Sequence, residues 1–388
     1  MSLFSTKEGP RSALAYHRIL APTAGVRVSP LCLGTMNFGE AWKSSMGECN
    51  KETSFKILDT FFEQGGNFID TANGYQGEES EEWLGEWLAS RKNRDQIVLA
   101  TKFTTYWPSG KGGETITTNF VGNHAKSLHV SLEASLKKLQ TTYIDLLYVH
   151  WWDFTTSIPE LMQSLNRVVD AGKVLYLGIS DTPAWVVTKA NAYAREHGLT
   201  PFSVYQGKWN AATRDFERDI LPMCESEGMA IAPWGTLGAG QFRTRAQLQS
   251  AEAKEGRNMF KNRETNIQVA EKLDAMSKKM DTSITSLALA YIMHKYPYVY
   301  PIIGGRKVEH LKGNIEALGL KLTNEDIDEI EDAAQFDIGF PMNMLFGMHD
   351  PDFKYRSRMT TSDMGLVAMA GPLDLPGKPS IVTPRETQ

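Results

Sequence analysis

The sequence predicts an α/β fold in which one (β/α)8 TIM barrel occupies most of the chain, and three observations support this prediction. Short aliphatic or β-branched runs alternate with helical patterns from about residue 30 to residue 318, as in βαβ units. Eight strand-helix pairs can be counted in that span. Glycines stand where helix C-caps are expected before a strand, at Gly65-Gly66 and Gly172. The 388 residues and 41% hydrophobic content suffice for a barrel core.

The elements follow in chain order, beginning with a hairpin over Tyr16–Val28 that is expected to close the bottom of the barrel. The predicted strands are Leu31–Gly34, Phe68–Asp70, Ile97–Lys102, Ile144–Val149, Val174–Ser180, Ser203–Gln206, Met229–Pro233 and Val299–Ile303. The predicted helices are Thr53–Gly65, Ser80–Ser90, Ala125–Leu139, Ile158–Ala171, Ala184–His197, Phe216–Glu227, Ile284–Lys295, Val308–Leu318 and Asn324–Ala334. Residues 1–335 are thus assigned to the barrel. Residues 336–388, rich in proline and with little periodicity, are assigned to an extension packed on the barrel or partly disordered.

Two long connections, Phe103–Asn123 and Gly235–Glu264, leave the same end of the predicted barrel. Loops of this length without regular structure usually serve a binding site. We therefore expect the functional site at this end.

Charge and composition exclude several classes of function. With 41 Lys+Arg against 46 Asp+Glu, the net charge is -5, so neither nucleic acid nor an anionic membrane surface is an expected partner. The three cysteines, Cys32, Cys49 and Cys224, include no CxxC and are interpreted as buried thiols in a reducing compartment. The first 20 residues lack the apolar region of a signal peptide, and no apolar run could span a membrane. The cytoplasm is the predicted location.

Four polar residues follow apolar runs at the ends of predicted strands: Asp70, Tyr75, Lys102 and His150. In a parallel barrel these strand ends converge on one face, where catalytic residues gather. Taken singly, each residue has a structural explanation, such as a capping carboxylate or a solvated lysine. Their shared placement favours a catalytic site and hence an enzyme.

These four residue types suit the reduction of a carbonyl group. A tyrosine hydroxyl can donate the proton that the developing alkoxide needs, and a nearby cation such as Lys102 is expected to lower the pKa of Tyr75. Asp70 can keep Lys102 charged and fixed, while His150 can hydrogen-bond the substrate oxygen.

The segments Asp70-Thr-Ala-Asn-Gly-Tyr75, Ala100-Thr-Lys102 and Leu147-Tyr-Val-His150 resemble the catalytic tetrad segments of the aldo-keto reductase superfamily. The resemblance covers roughly residues 15 to 335. The segments Tyr176–Trp185, Met229–Trp234 and Ile303–Leu311 further resemble the fungal aryl-alcohol dehydrogenase branch, which includes norsolorinic acid reductase-like proteins.

The resemblance implies NADP(H) as cofactor. It assigns Ser180, Asp181 and Gln206 to the nicotinamide carboxamide and Trp234 to stacking on the ring, although many members have asparagine at the position of Asp181. The backbone of the loop carrying Gly235, Leu237 and Gly238 is expected to contact the pyrophosphate. By the same resemblance Arg306 and Lys307 face the 2′-phosphate and Asn314 the adenine, while His310 stands where many members have arginine. Independently, Gly304-Gly305-Arg306-Lys307 precedes a predicted helix, where backbone N–H groups, the helix dipole and two cations can hold a phosphate.

Aromatic residues crowd the predicted loops and indicate a flat apolar substrate. Those expected to line the substrate pocket are Phe38, Tyr106, Trp107, Trp151 and Trp152, and Trp42 and Trp209 belong to the same group. The predicted function is NADPH-dependent reduction of an aromatic aldehyde or ketone to an alcohol, with Tyr75 as proton donor. Two alternatives stay open: a pathway-specific reductase acting on a polyketide ketone, and an NADP-sensing binding protein with slow turnover.

Two further patterns are interpreted as structural. Tyr291 and Lys295 have the YxxxK spacing of short-chain dehydrogenases, but they lie in a predicted helix, and no G-x-G-x-x-G opens the chain. His150 and Asp153 could suggest metal ligation, but no other ligand cluster has suitable spacing, so no metal is predicted.

Overall fold

The computed structural model describes residues 10–108, 116–248, 264–348, 350 and 352–384, and within them the predicted barrel is confirmed. The strands are β1 (Arg18–Ala21), β2 (Ala24–Val28), β3 (Cys32–Gly34), β4 (Phe68–Asp70), β5 (Val98–Phe103), β6 (Ile144–Val149), β7 (Val174–Ser180), β8 (Phe202–Lys208), β9 (Ala230–Trp234) and β10 (Ile302–Ile303). An eight-stranded parallel sheet has the order β10-β3-β4-β5-β6-β7-β8-β9, and β1 and β2 form the antiparallel N-terminal hairpin.

Helices follow the barrel strands and surround them. The α-helices are α1 (Lys43–Met46), α2 (Lys51–Glu63), α3 (Glu79–Arg91), α4 (Ala125–Lys138), α5 (Ile158–Asp170), α6 (Ala184–Glu196), α7 (Ile220–Glu227), α8 (Arg245–Leu248), α9 (Glu264–Lys279), α10 (Ile284–Met293), α11 (Val308–Glu316), α12 (Asn324–Glu331), α13 (Met342–Gly347) and α14 (Gly365–Ala368). Side chains of Asn50, Ser157 and Ser283 accept hydrogen bonds from backbone N–H groups at the starts of α2, α5 and α10. These N-caps explain why the predicted starts lie close to the observed ones.

The last predicted strand is shorter than expected. Only Ile302 and Ile303 pair with β3, whereas Val299 forms an isolated parallel bridge to Ile231 of β9. Pro301 separates the two and has no N–H to donate to a ladder. The bridge joins the two edges of the sheet and closes the barrel.

Two other differences concern the long connections. Helix α9 was not predicted, and its apolar positions are confined to a narrow stripe that includes Val269, Leu273 and Met276. Parts of the predicted connections Phe103–Asn123 and Gly235–Glu264 lie outside the described residues.

The hairpin fills the lower end of the barrel. Leu20, Ala21, Ala24 and Val28 are buried in one cluster with inward-facing strand residues such as Tyr148. The Tyr300 hydroxyl donates to the Ile19 carbonyl oxygen, which fastens the hairpin to the strand region before β10. A second, larger core lies between the strands and the surrounding helices. The polar strand ends therefore sit above a packed interior, as in other TIM barrels.

The C-terminal extension packs against the barrel through a buried group of ionic side chains. We call Arg214, Glu217, Lys295, Glu331 and Arg356 the buried charge cluster. Arg214 contacts Glu217 at 2.8 Å and Glu331 at 3.1 Å, Lys295 pairs with the same two carboxylates, and Arg356 of the extension reaches Glu331 at 3.1 Å. Tyr291 donates to Glu331. The YxxxK spacing therefore belongs to this structural cluster, as interpreted from its helical context.

Among the described helices, none combines the length and the apolar composition that crossing a bilayer requires. Cys32, Cys49 and Cys224 are buried free thiols.

Candidate active site

Lys102 lies at the centre of the four residues predicted to act together. Its ammonium nitrogen Nζ is 2.5 Å from Asp70 Oδ1, 2.7 Å from the Thr71 carbonyl oxygen and 3.3 Å from the Tyr75 hydroxyl. The Lys102 side chain is fully buried, and Asp70 is nearly so. Register explains the arrangement, because Asp70 ends β4 opposite Ala100 of β5, two residues before Lys102. A cation held by two other oxygen atoms thus touches the phenol.

His150 completes the group from the end of β6. The imidazole of His150 and the ring of Tyr75 meet edge to face with centroids 5.9 Å apart. Both side chains reach a cleft of about 270 Å³ at the C-terminal ends of the strands. The cleft is lined by Gly34, Met36, Asn37, Asp70, Tyr75, His150, Asp181, Gln206, Trp234, Gly235, Ala239, Ile302, Ile303 and Gly304.

Burial controls the protonation states in this cleft. Burial opposes the charge of Lys102, but Asp70 and Tyr75 together raise its pKa, so the side chain stays protonated. Burial also raises the pKa of Tyr75 above its usual value, and the nearby Lys102 offsets this only in part. Lys102 thus lowers the Tyr75 pKa as expected, but burial has the larger effect and the net shift is upward. Burial and the Lys102 charge lower the pKa of His150 to about 3, which leaves a neutral imidazole at physiological pH.

Asp181 and Gln206 form a polar wall of the cleft. Asp181 follows β7 with a left-handed φ of 41° and accepts from Trp234 Nε1 at 3.2 Å. Ser180, buried behind it, donates to Asp181 Oδ2 at 3.2 Å. Burial raises the Asp181 pKa to about 6, against the lowering effect of these hydrogen bonds. Gln206 Nε2 donates to Asp70 Oδ2 at 3.0 Å, so this wall is connected directly to the carboxylate that holds Lys102.

The opposite end of the cleft has the features of an anion site. Lys307 is the N-cap of α11 and makes no side-chain capping hydrogen bond to the first-turn N–H groups. Gly304, Gly305, Lys307 and Asn314 line a small adjoining pocket. First-turn backbone N–H groups, a helix dipole and a lysine at one helix start favour a bound phosphate.

The remaining predicted cofactor residues lie near the cleft but do not line it. A side chain at Gly47 would overlap the Arg306 guanidinium, and the His310 side chain lies against Gly305. Leu237 and Gly238 belong to the loop whose Gly235 and Ala239 do face the cleft.

The structure distributes the predicted aromatic pocket residues over several environments. Phe38 and Trp152 are buried in the core between strands and helices, and Trp107 packs on Phe120 and beneath the Lys138 ammonium group. Tyr106 is 41% exposed. None of these four lines the cleft, because their loops turn the rings toward the helices or toward solvent. The indole N–H of Trp151 donates to Thr105 Oγ1.

Sequence reasoning missed two residues that follow β3. Met36 and Asn37 line the cleft directly. Trp42, which the sequence placed among the aromatic residues near the site, approaches the Tyr75 ring edge to face at 6.3 Å. The same strand-end rule that identified Asp70 would have identified Thr35-Met36-Asn37 if applied to the first barrel strand.

Asp153 has a structural role beside this site. Its carboxylate accepts from the backbone N–H groups of Asn123, Thr155 and Thr156 at 2.8 to 2.9 Å. Burial opposes its ionisation, but these hydrogen bonds hold the Asp153 pKa at about 2. No group of three or more potential metal ligands occurs in the described part of the chain.

Comparisons with known proteins agree with this geometry. The model of the aldo/keto reductase family matches residues 30–335. Norsolorinic acid reductase A of Aspergillus parasiticus is 62% identical over 359 residues, which cover 92% of this chain and 91% of that protein. An aryl-alcohol dehydrogenase of Pestalotiopsis microspora is 56% identical, with 87% and 86% covered, and a putative aryl-alcohol dehydrogenase of Saccharomyces cerevisiae is 52% identical, with 88% and 93% covered. With a family model spanning the barrel and relatives aligned over nearly their whole length, the chain belongs to the aldo/keto reductase family.

Proposed function

We propose that the protein reduces aromatic aldehydes or ketones to alcohols with NADPH, and that Tyr75 donates the proton. The observation that carries this proposal is the contact of the Tyr75 hydroxyl with Lys102, 3.3 Å away, at the wall of a cleft that His150 also faces. A proton donor, a fixed cation and a neutral imidazole are the groups that a carbonyl oxygen needs as it gains negative charge.

The chain's own residues supply the proton and stabilise charge. When bound, NADPH supplies the hydride to the carbonyl carbon. The Tyr75 hydroxyl transfers its proton to the carbonyl oxygen, and Lys102 stabilises the phenolate that remains. Asp70 keeps Lys102 charged at a separation of 2.5 Å. His150, neutral because of its burial, donates a hydrogen bond to the same oxygen.

The residues around the cleft fit a nicotinamide dinucleotide phosphate. Trp234 offers an aromatic face, Asp181 and Gln206 offer polar groups for a carboxamide, and Gly304-Gly305 leaves the backbone accessible before α11. Lys307 and Arg306 near the start of that helix favour the cofactor with the additional phosphate. We therefore propose Arg306 and Lys307 at the 2′-phosphate, Asn314 at the adenine and the Gly235–Gly238 loop at the pyrophosphate.

A second candidate function is the reduction of a polyketide ketone. It is supported by the 62% identity to a protein named norsolorinic acid reductase A. Aryl-alcohol dehydrogenases are almost as similar, at 56% and 52%. The two candidates share one chemical step and differ in the size of the substrate.

The test is NADPH consumption by the purified protein with 3,4-dimethoxybenzaldehyde, with NADH as the comparison and chromatography of the alcohol product. Turnover that is faster with NADPH supports the proposal. Turnover with norsolorinic acid but not with the small aldehyde would favour the second candidate. NADPH binding without turnover on either substrate would overturn both and indicate an NADP-binding sensor.

Ionisation of Asp181 is expected to change the preference between the two redox forms of the cofactor. Below its pKa of about 6 the side chain is neutral, and above it a carboxylate faces the cleft. A carboxylate attracts the positive nicotinamide ring of NADP⁺ but not the neutral ring of NADPH. This difference in interaction free energy is about 1 kcal/mol or more. The ratio of Kd for NADPH to Kd for NADP⁺ should therefore rise about fivefold or more from pH 5 to pH 8.

Fluorescence titration of both forms measures this ratio, in which titration of the shared 2′-phosphate cancels. Asp181→Asn is the control, since it has no ionisation and should give a flat ratio. A slope that persists in this variant would assign the effect to another group.

A further inference from the structure

His150 makes one side-chain hydrogen bond that the proposed mechanism has not used. Its Nδ1 lies 3.1 Å from Thr105 Oγ1, and Thr105 Oγ1 in turn accepts from Trp151 Nε1 at 3.0 Å. The three groups form a chain that runs from Trp151 through Thr105 to the imidazole. Trp151 was expected to face the substrate, yet its polar atom points into this chain.

The direction of the hydrogen bond between Thr105 and His150 follows from counting protons. The indole N–H of Trp151 can only donate, so it occupies one lone pair of the Thr105 oxygen. The Thr105 oxygen keeps a second lone pair, so the contact with His150 Nδ1 fits either direction. The two directions differ in the fate of the single hydroxyl proton, for which Nδ1 is the acceptor available among the described residues. The arrangement that satisfies this proton has Thr105 donating to Nδ1. A neutral imidazole that accepts at Nδ1 carries its own proton at Nε2.

The backbone before Thr105 is strained in a way that serves this contact. Thr104 has φ of 109°, a conformation that a β-branched residue rarely adopts. Asn123 Nδ2 donates to Thr104 Oγ1 at 2.9 Å, and the Gly122 N–H donates to the Thr104 carbonyl oxygen at 2.8 Å. The His150 N–H also reaches Thr104 Oγ1, at 3.3 Å. These bonds hold a costly conformation that turns the chain after β5 and brings Thr105 to His150.

A second pair of contacts fixes the partner loop after β6. Asn123 Nδ2 donates to the Trp151 carbonyl oxygen at 3.0 Å, and Asn123 Oδ1 accepts from the Asp153 N–H at 2.7 Å. One asparagine thus joins the loops that carry Thr105 and Trp151. The position of the three-residue chain is set by both strand ends.

We propose that Thr105 and Trp151 are positioning residues that hold His150 as the tautomer protonated at Nε2, the nitrogen that Thr105 does not contact. In this form His150 presents an N–H donor, rather than a lone pair, to a carbonyl oxygen beside Tyr75. The consequence for catalysis rests on the proposed function. The tautomer itself does not depend on it.

The experiment compares the wild type with Thr105→Val and Thr105→Ser. Valine has nearly the shape of threonine without the hydroxyl, and serine keeps the hydroxyl. Nitrogen-15 NMR of histidine-labelled protein, with the His150 signals assigned from a His150→Gln sample, distinguishes a protonated from an unprotonated ring nitrogen. We expect an unprotonated Nδ1 and a protonated Nε2 in the wild type and in Thr105→Ser, and a population protonated at Nδ1 in Thr105→Val.

Activity gives the second measurement. Thr105→Val should lower kcat at least about tenfold with little change in the Kd for NADPH, and Thr105→Ser should restore most of the loss. A wild-type spectrum with the proton at Nδ1 would overturn the proposal, as would a Thr105→Val protein whose tautomer and kcat match the wild type. Because NMR needs no turnover, a failure of the proposed reductase function would leave the tautomer result intact, and the two failures are distinguishable.

Discussion

Replacing Tyr75 with phenylalanine is expected to lower kcat for aldehyde reduction by about 10²- to 10⁴-fold, the usual contribution of general acid catalysis. The ring and its edge-to-face contact with His150 remain, so the cleft keeps its shape. Only the hydroxyl that contacts Lys102 is lost. The Kd for NADPH should change little. Steady-state kinetics and fluorescence titration of the same preparation measure the two quantities.

Tyr176→Phe is the matched control. Tyr176 lies on β7 and packs against the hydrophobic cluster that the hairpin forms at the lower end of the barrel. It removes a phenol hydroxyl far from the cleft and should leave kcat within a factor of about two, as expected for a substitution away from the reacting groups. Unchanged turnover in Tyr75→Phe would remove Tyr75 as the proton donor. Loss of NADPH binding in that variant would instead indicate a structural role.

Replacing Glu331 with glutamine is expected to lower the free energy of unfolding by about 3 to 5 kcal/mol, because it breaks a buried ion-pair network from one side. The Glu331 side chain is fully buried and contacts Arg214, Lys295 and Arg356. Without its charge, Arg214 and Lys295 would share the single carboxylate of Glu217, while Arg356 would keep only its more exposed partners Asp328 and Asp332. Urea unfolding followed by tryptophan fluorescence gives the change as a shift in the midpoint.

Glu329→Gln provides the control on the same helix. Glu329 pairs with Lys272 at 3.4 Å and is 42% exposed, so its loss should cost no more than about 1 kcal/mol. Equal midpoint shifts in the two variants would contradict the role of burial.

Acid should weaken the same cluster. Burial opposes ionisation of Glu217, but Lys295 and Arg214 lower its pKa to about 2. The ionised Glu217 carboxylate thus stabilises the folded protein fully when the pH is above the pKa that Glu217 has in the unfolded chain. This contribution to the free energy of unfolding disappears as the pH falls toward 2.

Much of the barrel, and the grouping of Asp70, Tyr75, Lys102 and His150 in space, could be predicted because both follow from local patterns. Asp70, Lys102 and His150 each come at the end of an apolar run, and parallel strands bring such ends together whatever the helices between them contain. The strands β4, β6 and β7 begin and end at the predicted residues. Local apolar runs and glycine or N-cap signals were sufficient for that.

Other features depend on contacts between residues far apart in the chain, and such contacts cannot be inferred from local patterns in a single sequence. Phe38 and Trp152 are aromatic residues of the kind that line pockets, but their rings pack into the core because the loop backbone directs them there. Thr105 and Trp151 are 46 positions apart, and nothing local to either indicates a bond. The sign of the Tyr75 pKa shift likewise depends on burial, which outweighs the nearby cation.

The hydrogen bond from Gln206 to Asp70 has a thermodynamic consequence. Gln206 faces the cleft, yet its amide holds the carboxylate that fixes Lys102, which in turn contacts the Tyr75 hydroxyl. A molecule that bonds to Gln206 and weakens its bond to Asp70 is therefore expected to change the free energy of proton release from Tyr75. By reciprocity, the charge on Tyr75 changes the affinity of the cleft for that molecule by the same factor. The change in the Tyr75 pKa on binding and the change in binding affinity with Tyr75 ionisation therefore measure the same coupling free energy. Either a pH titration of Tyr75 or a binding titration can determine it.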